Sequence, residues 1–241
     1  MIDLYFWPTP NCYKVSILLE ELMLPYNVIG VHIGKGQQFE DRFTDLNPNG
    51  KVPVLVDYDG PDGKPITIFE SGAIMMFLSE KAEQFLPKGV RGRMEVLQWL
   101  MFQMGGVGPM LGQAHHFRKY AKDEIPYAID RYTREATRIY SVLEHRLSAT
   151  EFIAGNYSIV DMAVYPWIRP YRWQGQTLSD FPNLQRWYSA VRARPGVQRG
   201  LAVMKEELQR NKSKPTGDAW SFLFGDEKPA RINQKAKGIK S

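Results

Sequence analysis

The sequence has one cysteine, Cys12, among its 241 residues. A single cysteine excludes an internal disulfide framework and any metal site built from several thiolates. Disulfides accumulate in oxidising compartments, so their absence favours a reducing one. We therefore expect a cytoplasmic protein.

Long apolar runs are missing as well. The opening residues, MIDLYFWPTP, have neither the basic start nor the extended apolar core of a secretory signal. No stretch approaches the roughly 18 consecutive apolar residues that a membrane span requires. The sequence accordingly predicts no membrane partner.

Excess charge is confined to one end of the chain. The formal net charge is +5, and residues 228–240 hold five basic residues and no acidic one: Lys228, Arg231, Lys235, Lys237 and Lys240. Without them the chain is near neutral, which argues against nucleic acid as the main partner. This end is poor in apolar residues, and we expect it to be poorly ordered.

The first part of the chain alternates between strand and helix patterns. Ile2, Leu4 and Phe6 alternate as in a strand, and apolar residues then recur at helical spacing after Asn11, which we interpret as an N-cap. A helix between two strands makes them parallel, whereas two closely spaced strands form a hairpin. The predicted elements are strands at 2–6, 26–33, 52–56 and 66–68 and helices at 11–22 and 71–81.

Strand patterns stop after about residue 86. The predicted helices beyond it are 91–120, 125–148, 158–172, 182–194 and 196–210. We therefore expect an α/β domain at residues 1–86, an all-helical domain at 91–210 and a tail at 211–241.

Two local signals refine the helical part. Ser158 precedes Asp161 by three residues, as in a capping box that starts a helix. Glycines cluster with Pro109 at residues 105–112, which predicts a break or kink in the first of these helices.

Two segments are candidate ligand contacts. Val52-Pro53 begins the third predicted strand; because proline donates no ladder hydrogen bond, the Val52 backbone is available to an extended peptide, above all if the bond is cis. Glu70-Ser71 opens a helix, where free amides and a hydroxyl favour a carboxylate, and Glu70 suits an α-amino group. The alternatives are an edge-strand proline and an ordinary helix cap.

Thr9, Asn11 and Cys12 occupy the turn after the first strand, at the positive end of the first helix. Donors there stabilise a thiolate. Cys12 is itself a candidate thiolate, since helix N-termini lower cysteine pKa values. The alternative is a small buried side chain, which the lack of a second cysteine to resolve a disulfide favours.

Other polar clusters have weaker functional implications. His115 and His116 are adjacent, so on a helix they point about 100° apart, and no third metal ligand is near; we interpret them as structural or pocket-lining. Arg131, Arg134 and Arg138 share a helix face, and one of them facing a cleft would suit an anionic ligand.

In this order the motifs resemble those of the glutathione transferases, whose fold joins a thioredoxin-like domain to a helical domain. The resemblance runs from Met1 to about Leu208. Val52-Pro53 is similar to the family's cis-proline corner, and FESGAI to its γ-glutamyl motif. The chain also resembles the bacterial nu class, relatives of the yeast prion protein Ure2, in the stretches PTPNCYKV, GKGQQF, NPNGKVPVL, FESGAI, QMGGVGPMLGQAHHF and IPYAIDRY.

The resemblance implies a homodimer that binds two glutathione molecules, or one glutathione disulfide, and reduces disulfides without a protein cysteine. It implies that Thr9 and Asn11 approach the glutathione sulfur and that Gln38 holds the glycyl end. The Val52 backbone, at Pro53, would pair with the cysteinyl part.

By the same resemblance, Glu70 and Ser71 would hold the γ-glutamyl end, and Arg131 an anionic end of the ligand. At position 12 this sequence has a cysteine where the class is expected to have a glycine. A mixed disulfide between Cys12 and glutathione is therefore an alternative intermediate.

In the mechanism that follows, the Thr9 hydroxyl and the Asn11 amide donate hydrogen bonds to the glutathione sulfur and lower the pKa of its thiol. The thiolate then attacks a disulfide, or an electrophilic carbon or a peroxide. Tyr5 ranks below both residues because it lies within a strand. Two alternatives remain: a non-catalytic interaction module with the same fold, and a thioltransferase with Cys12 as nucleophile.

Overall fold

The computed structural model describes residues 1–210 and 215–225. Its sheet has four strands: β1 (Ile2–Phe6), β2 (Tyr26–Gly30), β3 (Val54–Asp57) and β4 (Ile66–Phe69). The order is β2-β1-β3-β4, with β1 parallel to β2 and antiparallel to β3, and β3 antiparallel to β4. The predicted parallel pair and hairpin are both confirmed.

Helices pack against the sheet and make up most of the rest of the described chain. They are α1 (Pro10–Glu21), α2 (Asp41–Thr44), α3 (Ser71–Ala82), α4 (Val90–Phe102), α5 (Gly108–His115), α6 (Pro126–Ala149), α7 (Ile159–Ile168), α8 (Pro182–Ala193), α9 (Pro195–Ala202), α10 (Lys205–Arg210) and α11 (Gly217–Phe224). The predicted class, an α/β sheet followed by an all-helical half, is confirmed. None of the described helices combines the length and apolar character needed to cross a membrane.

The start of α1 corrects one prediction. Thr9, not Asn11, is the N-cap: its backbone is extended, and its Oγ1 accepts a hydrogen bond from the Cys12 N–H at 3.4 Å. Pro10 follows in the first helical position, where a missing N–H costs nothing and the fixed φ suits a helix. The Asn11 side chain is therefore not used as a cap.

The region predicted as one helix at 91–120 stays helical through its glycines, but parts of it have the wider π-helical geometry. Two π-helical segments, Gln103–Val107 and His116–Tyr120, flank α5, and hydrogen bonds there span five residues. Pro109 falls in the first turn of α5, where its missing N–H interrupts nothing.

Three further boundaries differ from prediction. The second strand ends at Gly30, and short 3-10 turns at Ile33–Lys35 and Gln37–Phe39 replace its predicted end. The predicted helix at 196–210 is divided into α9 and α10, because Met204 adopts a φ of +50°. The residues treated as a tail include α11, while the basic segment 228–240 lies outside the described residues.

The packing of α1 organises the fold. All eight residues from Cys12 to Leu19 are buried, between the sheet on one side and α7 and α9 on the other. At Gly200 in α9 a Cβ atom would lie 2.5 Å from the Ile17 Cα, so only glycine allows this approach. Ser16 Oγ donates to the Gly200 carbonyl at 2.9 Å.

The predicted capping box is confirmed and does more than start α7. The Ser158 N–H donates to Asp161 at 2.9 Å, and Ser158 Oγ accepts from the Val160 N–H at 3.3 Å. Asp161 also accepts from the Ile153 N–H at 3.0 Å and from Trp187 Nε1 at 2.8 Å. Burial raises the Asp161 pKa to about 6, against the effect of these donors.

Asp161→Ala is expected to lower the free energy of unfolding by about 3 kcal/mol, because a helix cap is lost and the Ile153 and Trp187 donors stay buried without an acceptor. Urea unfolding followed by circular dichroism measures the loss. Asp130→Ala is the control: its exposed ion pair with Arg134 is worth less than about 1 kcal/mol. Equal losses in both variants would contradict the bridging role of Asp161.

Candidate active site

Four turns meet at one edge of the sheet. β1 ends at Phe6, where its register partner is Gly30, the last residue of β2. β3 begins at Val54, which is paired with both Tyr5 of β1 and Phe69 at the end of β4. The turns after β1, β2 and β4 and the turn before β3 therefore lie together. They carry the predicted site residues of the sheet half: Thr9, Asn11, Gln38, Val52, Pro53, Glu70 and Ser71.

Thr9 and Asn11 present hydrogen-bond donors at the start of α1. Because Thr9 Oγ1 accepts from the Cys12 N–H, its hydroxyl proton is left to donate elsewhere. Asn11 Oδ1 accepts from Trp167 Nε1 of α7 at 3.0 Å. An indole nitrogen only donates, so the amide oxygen must face Trp167 and the NH2 group is the unoccupied end.

Cys12 lies directly beneath this turn. Its side chain is fully buried, and burial raises its pKa to about 12 although the Thr9 hydroxyl opposes the shift. The thiol is therefore protonated at neutral pH and has no exposed surface. This environment is that of a small buried side chain.

Lys14 was not singled out by the sequence. Its side chain is 1% exposed, and Nζ donates to Gln103 Oε1 at 2.7 Å and to Ser71 Oγ at 3.3 Å. Burial lowers its pKa to about 7, against the attraction of the Glu70 carboxylate. Since Nζ occupies a lone pair of the Ser71 oxygen, the Ser71 hydroxyl acts as a donor, and its acceptor in the structure is the sulfur of Met104 at 3.9 Å, a weak acceptor that a carboxylate could replace.

Glu70 has an unusual backbone for its type. It precedes α3 with a φ of +69°, a region that residues other than glycine rarely enter, and its side chain makes no capping bond. The residue is exposed. Its carboxylate is thus available to a positively charged group beside Ser71.

The turn before β3 offers unpaired backbone. The Val52-Pro53 bond is cis. Asn47 holds the turn by donating to the Lys51 carbonyl at 2.6 Å and accepting from the Asn49 N–H at 2.9 Å. Within the described ranges nothing bonds to the Val52 backbone N–H or C=O, so a peptide-like ligand has groups to pair with.

Gln38 lies in the turn after β2 and is 4% exposed. Its Nε2 donates to the Ile33 carbonyl at 3.1 Å, which uses one of its two amide hydrogens, and Oε1 has no partner among the residues described.

The helical half contributes arginines, but not at the sheet edge. Arg134 pairs with Asp130, and Arg138 donates twice to Glu135 at 2.8 Å. Arg131 is exposed and makes no ion pair in the part of the chain that the structure describes. No contact given for these residues joins Arg131 to the other candidates, so its role stays a prediction.

His115 belongs to a buried polar network. Its Nε2 lies 2.9 Å from Gln174 Nε2, and its ring stacks on Trp167 with centroids 6.0 Å apart. Burial lowers its pKa to about 4, so it is neutral at neutral pH. No cluster of three or more metal-ligating side chains occurs in residues 1–210 and 215–225.

Two functional contributors were therefore missed by sequence reasoning. Lys14 lies one turn before Leu18, in line with the apolar stripe of α1, and a lysine in such a stripe is a usable signal. For Trp167 the sequence offers no comparable signal. Nothing local could reveal its bond to a residue 156 positions away.

Two family descriptions match the chain. Glutathione S-transferase, N-terminal domain, matches residues 9–81, and Glutathione S-transferase, C-terminal domain, matches residues 107–195.

Named relatives are similar over most of the chain. The disulfide-bond oxidoreductase YfcG of Escherichia coli is 46% identical over 215 residues, which cover 88% of this chain and 99% of that protein. The disulfide-bond oxidoreductase YghU of the same organism is 39% identical, covering 84% of this chain and 74% of that protein.

Solved structures are similar as well. A Burkholderia graminis glutathione transferase with two glutathione molecules bound per subunit has a TM-score of 0.81 and 46% identity, covering 85% of this chain and 88% of that one. A Pseudomonas putida glutathione transferase with one glutathione disulfide bound per subunit has a TM-score of 0.81 and 40% identity, covering 84% and 91%. With matches to both of its halves, the chain belongs to the glutathione S-transferase family.

Proposed function

We propose that this protein is a glutathione-dependent disulfide-bond reductase in which the thiolate of bound glutathione is the nucleophile. One observation carries the proposal: at Thr9, Asn11 and Ser71 an internal donor occupies the side-chain oxygen, so each of these side chains has hydrogens, and not a free oxygen lone pair, to offer a ligand. Hydrogen-bond donors favour the ionised form of an acid, such as a thiolate or a carboxylate. Two donors at the start of α1 suit a thiolate, and one at the start of α3 suits a carboxylate.

The other predicted residues complete the proposed ligand site. The cis turn at Pro53 leaves the Val52 backbone to pair with the cysteinyl part of glutathione. Glu70 meets the α-amino group, Gln38 offers its remaining amide hydrogen to the glycyl end, and Arg131 binds an anionic end of the ligand. The relatives named as disulfide-bond oxidoreductases, and the similar structures with glutathione or its disulfide, support this assignment.

The proposed reaction balances with two glutathione molecules. The first thiolate attacks one sulfur of the substrate disulfide; a new sulfur-sulfur bond forms, the old one breaks, and the departing thiolate takes a proton. A second glutathione thiolate attacks the mixed disulfide and releases glutathione disulfide and the second substrate thiol. The substrate is reduced, and the two glutathione molecules are oxidised. The same thiolate can attack an electrophilic carbon or a peroxide, which makes transferase and peroxidase side reactions part of the proposal.

The burial of Cys12 supports a cysteine-free mechanism, because a protonated thiol without exposed surface is a poor nucleophile. A non-catalytic module would have no need of the Asn11 NH2 group as a donor turned away from Trp167. We assign the chain to the nu class and the cytoplasm on the stretches and the single cysteine described above, and we keep domain limits of 1–86 and 91–210.

Turnover of 2-hydroxyethyl disulfide with glutathione separates the possible nucleophiles. Cys12→Ala is expected to retain most of the activity, since only a buried methyl-sized volume changes. Asn11→Ala is expected to lower kcat/KM by about one hundred-fold, the cost of losing one donor to a developing anion.

The two variants control each other because they occupy neighbouring positions in α1. Loss of turnover in Cys12→Ala with full activity in Asn11→Ala would move the nucleophile to Cys12. No turnover in the wild type would favour the non-catalytic module.

Lys14 should make ligand affinity depend on pH. Charged Lys14 favours a carboxylate beside Ser71, and this lysine loses its proton as the pH rises through about 7. The bound carboxylate raises that pKa. The Kd of S-methylglutathione, whose thiol cannot ionise, is therefore expected to rise about ten-fold above pH 7 for a one-unit difference in pKa.

Isothermal titration calorimetry measures this Kd against pH. Lys14→Met is expected to bind weakly at every pH and Lys14→Arg, which stays charged, to bind without the upward slope. The same slope in the wild type and in Lys14→Met would refute the role of Lys14.

We also propose a homodimer. Val90, Met94 and Met101 are 77%, 50% and 53% exposed and lie on one stripe of α4, since they are four and seven residues apart. A groove of about 530 Å³ opens between α4 and α6 beside Trp99 and Val142. Apolar exposure of this kind marks an interaction surface, and a second copy of the chain is the partner that the resemblance implies.

Size-exclusion chromatography with light scattering tests the dimer. The wild type is expected at twice the mass of the chain, and the double variant Met94→Lys with Met101→Lys at the single mass, because two buried charges would oppose association. Met23→Lys, which is 83% exposed in the turn after α1, is the control and should remain dimeric. A monomeric wild type would refute the homodimer.

A further inference from the structure

The orientation of the Asn11 amide is set by the helical half of the protein. Its oxygen accepts from Trp167 Nε1 at 3.0 Å, and Trp167 lies 156 residues further along the chain, on α7. Both side chains are half-buried. We propose that Trp167 is a positioning residue, whose indole N–H holds the oxygen of Asn11 away from the ligand so that the NH2 group faces the glutathione sulfur.

This role rests on the proposed function, because it assumes that Asn11 donates to that sulfur. A carboxamide has nearly the same shape at both ends, so only its hydrogen-bond partners decide which end faces a ligand. Without the indole N–H the amide can turn and place its oxygen beside the sulfur. An oxygen lone pair repels a thiolate, whereas N–H donors favour it.

Trp167 is contacted by several residues of the helical half. A Cβ at Gly112 would lie 3.4 Å from its ring, and His115 stacks on the ring at a 26° interplanar angle. The Trp167 carbonyl accepts from Gln174 Nε2 at 2.6 Å, and Gln174 Oε1 accepts from the Tyr140 hydroxyl at 2.6 Å. Residues of α5 therefore pack against the indole ring, and Gln174, itself held by Tyr140 of α6, bonds to the backbone of the same residue.

The activation of the sulfur would then depend on docking of the two halves. Asn11 belongs to α1 of the sheet half, whereas every residue that holds Trp167 belongs to the helical half. A side chain that contacts no ligand in this arrangement would still control the thiol pKa of the bound glutathione.

Titratable and charged groups around this pair come from α1, from α5 and the segment after it, and from the residue that follows α7: Cys12, Tyr13, Lys14, His115, Lys119 and Arg169. Burial keeps His115 neutral, with a pKa of about 4, and keeps Cys12 protonated, with a pKa of about 12. Lys14 titrates at about 7. It is present in every variant compared below, so its effect cancels in their differences.

The test is the thiol pKa of protein-bound glutathione, measured from the ultraviolet absorbance of the thiolate against pH. Trp167→Phe keeps a ring and removes the N–H, and it is expected to raise that pKa by about one unit. At neutral pH kcat/KM should fall about ten-fold, mainly through kcat. Benzothienylalanine at position 167 replaces only the nitrogen and should give the same shift if the phenylalanine variant folds poorly.

Two comparisons separate positioning from a merely structural role. Trp187→Phe removes a buried indole N–H that bonds to Asp161, and it should lower stability without moving the thiol pKa. In an Asn11→Ala background, Trp167→Phe should add no further shift. A shift that persists without Asn11, or no shift with benzothienylalanine, would overturn the proposal. If Asn11→Ala alone leaves the thiol pKa of bound glutathione unchanged, Asn11 does not donate to the sulfur, and that part of the proposed function is refuted.

Discussion

The burial of α1 between the sheet and the helical half is the constraint on which the site depends. Its residues from Cys12 to Leu19 have no exposed face, so their positions are set from both sides. Thr9 and Asn11 stand at its open end, and Lys14 reaches from its side to Ser71. Any movement of this helix would displace Thr9, Asn11 and the contact between Lys14 and Ser71 together.

The site residues share a physical arrangement. Backbone, lysine and indole donors occupy the oxygens of Thr9, Ser71 and Asn11, so these side chains have hydrogens to offer a ligand. Oriented donors in a half-buried place stabilise an anion without reorganising when it binds. In the proposed reaction the ligand brings the nucleophile, so the buried, protonated Cys12 is not needed as one.

Local patterns predicted much of the framework. Alternation and helical periodicity located the four strands and most helices, and the box at Ser158 was found where it occurs. The errors were also local. Asn11 was taken for the cap because Asn is a common cap residue, although Pro10 suits the first helical position and leaves Thr9 to cap. The glycines near Pro109 predicted a break or a kink, and the structure has a π-helical segment at this place that does not end the helix.

By itself the sequence determined the order of elements, the turn at Pro53, the cap of α7 and the set of polar residues at the strand ends, because each depends on backbone bonding within a few residues. Only the tertiary structure decided which atoms those residues present. The Lys14 bonds to Ser71 and Gln103 span 57 and 89 residues, and the bond from Trp167 to Asn11 spans 156. No periodicity encodes such pairs, since they arise only when the sheet and the helices bury α1 between them.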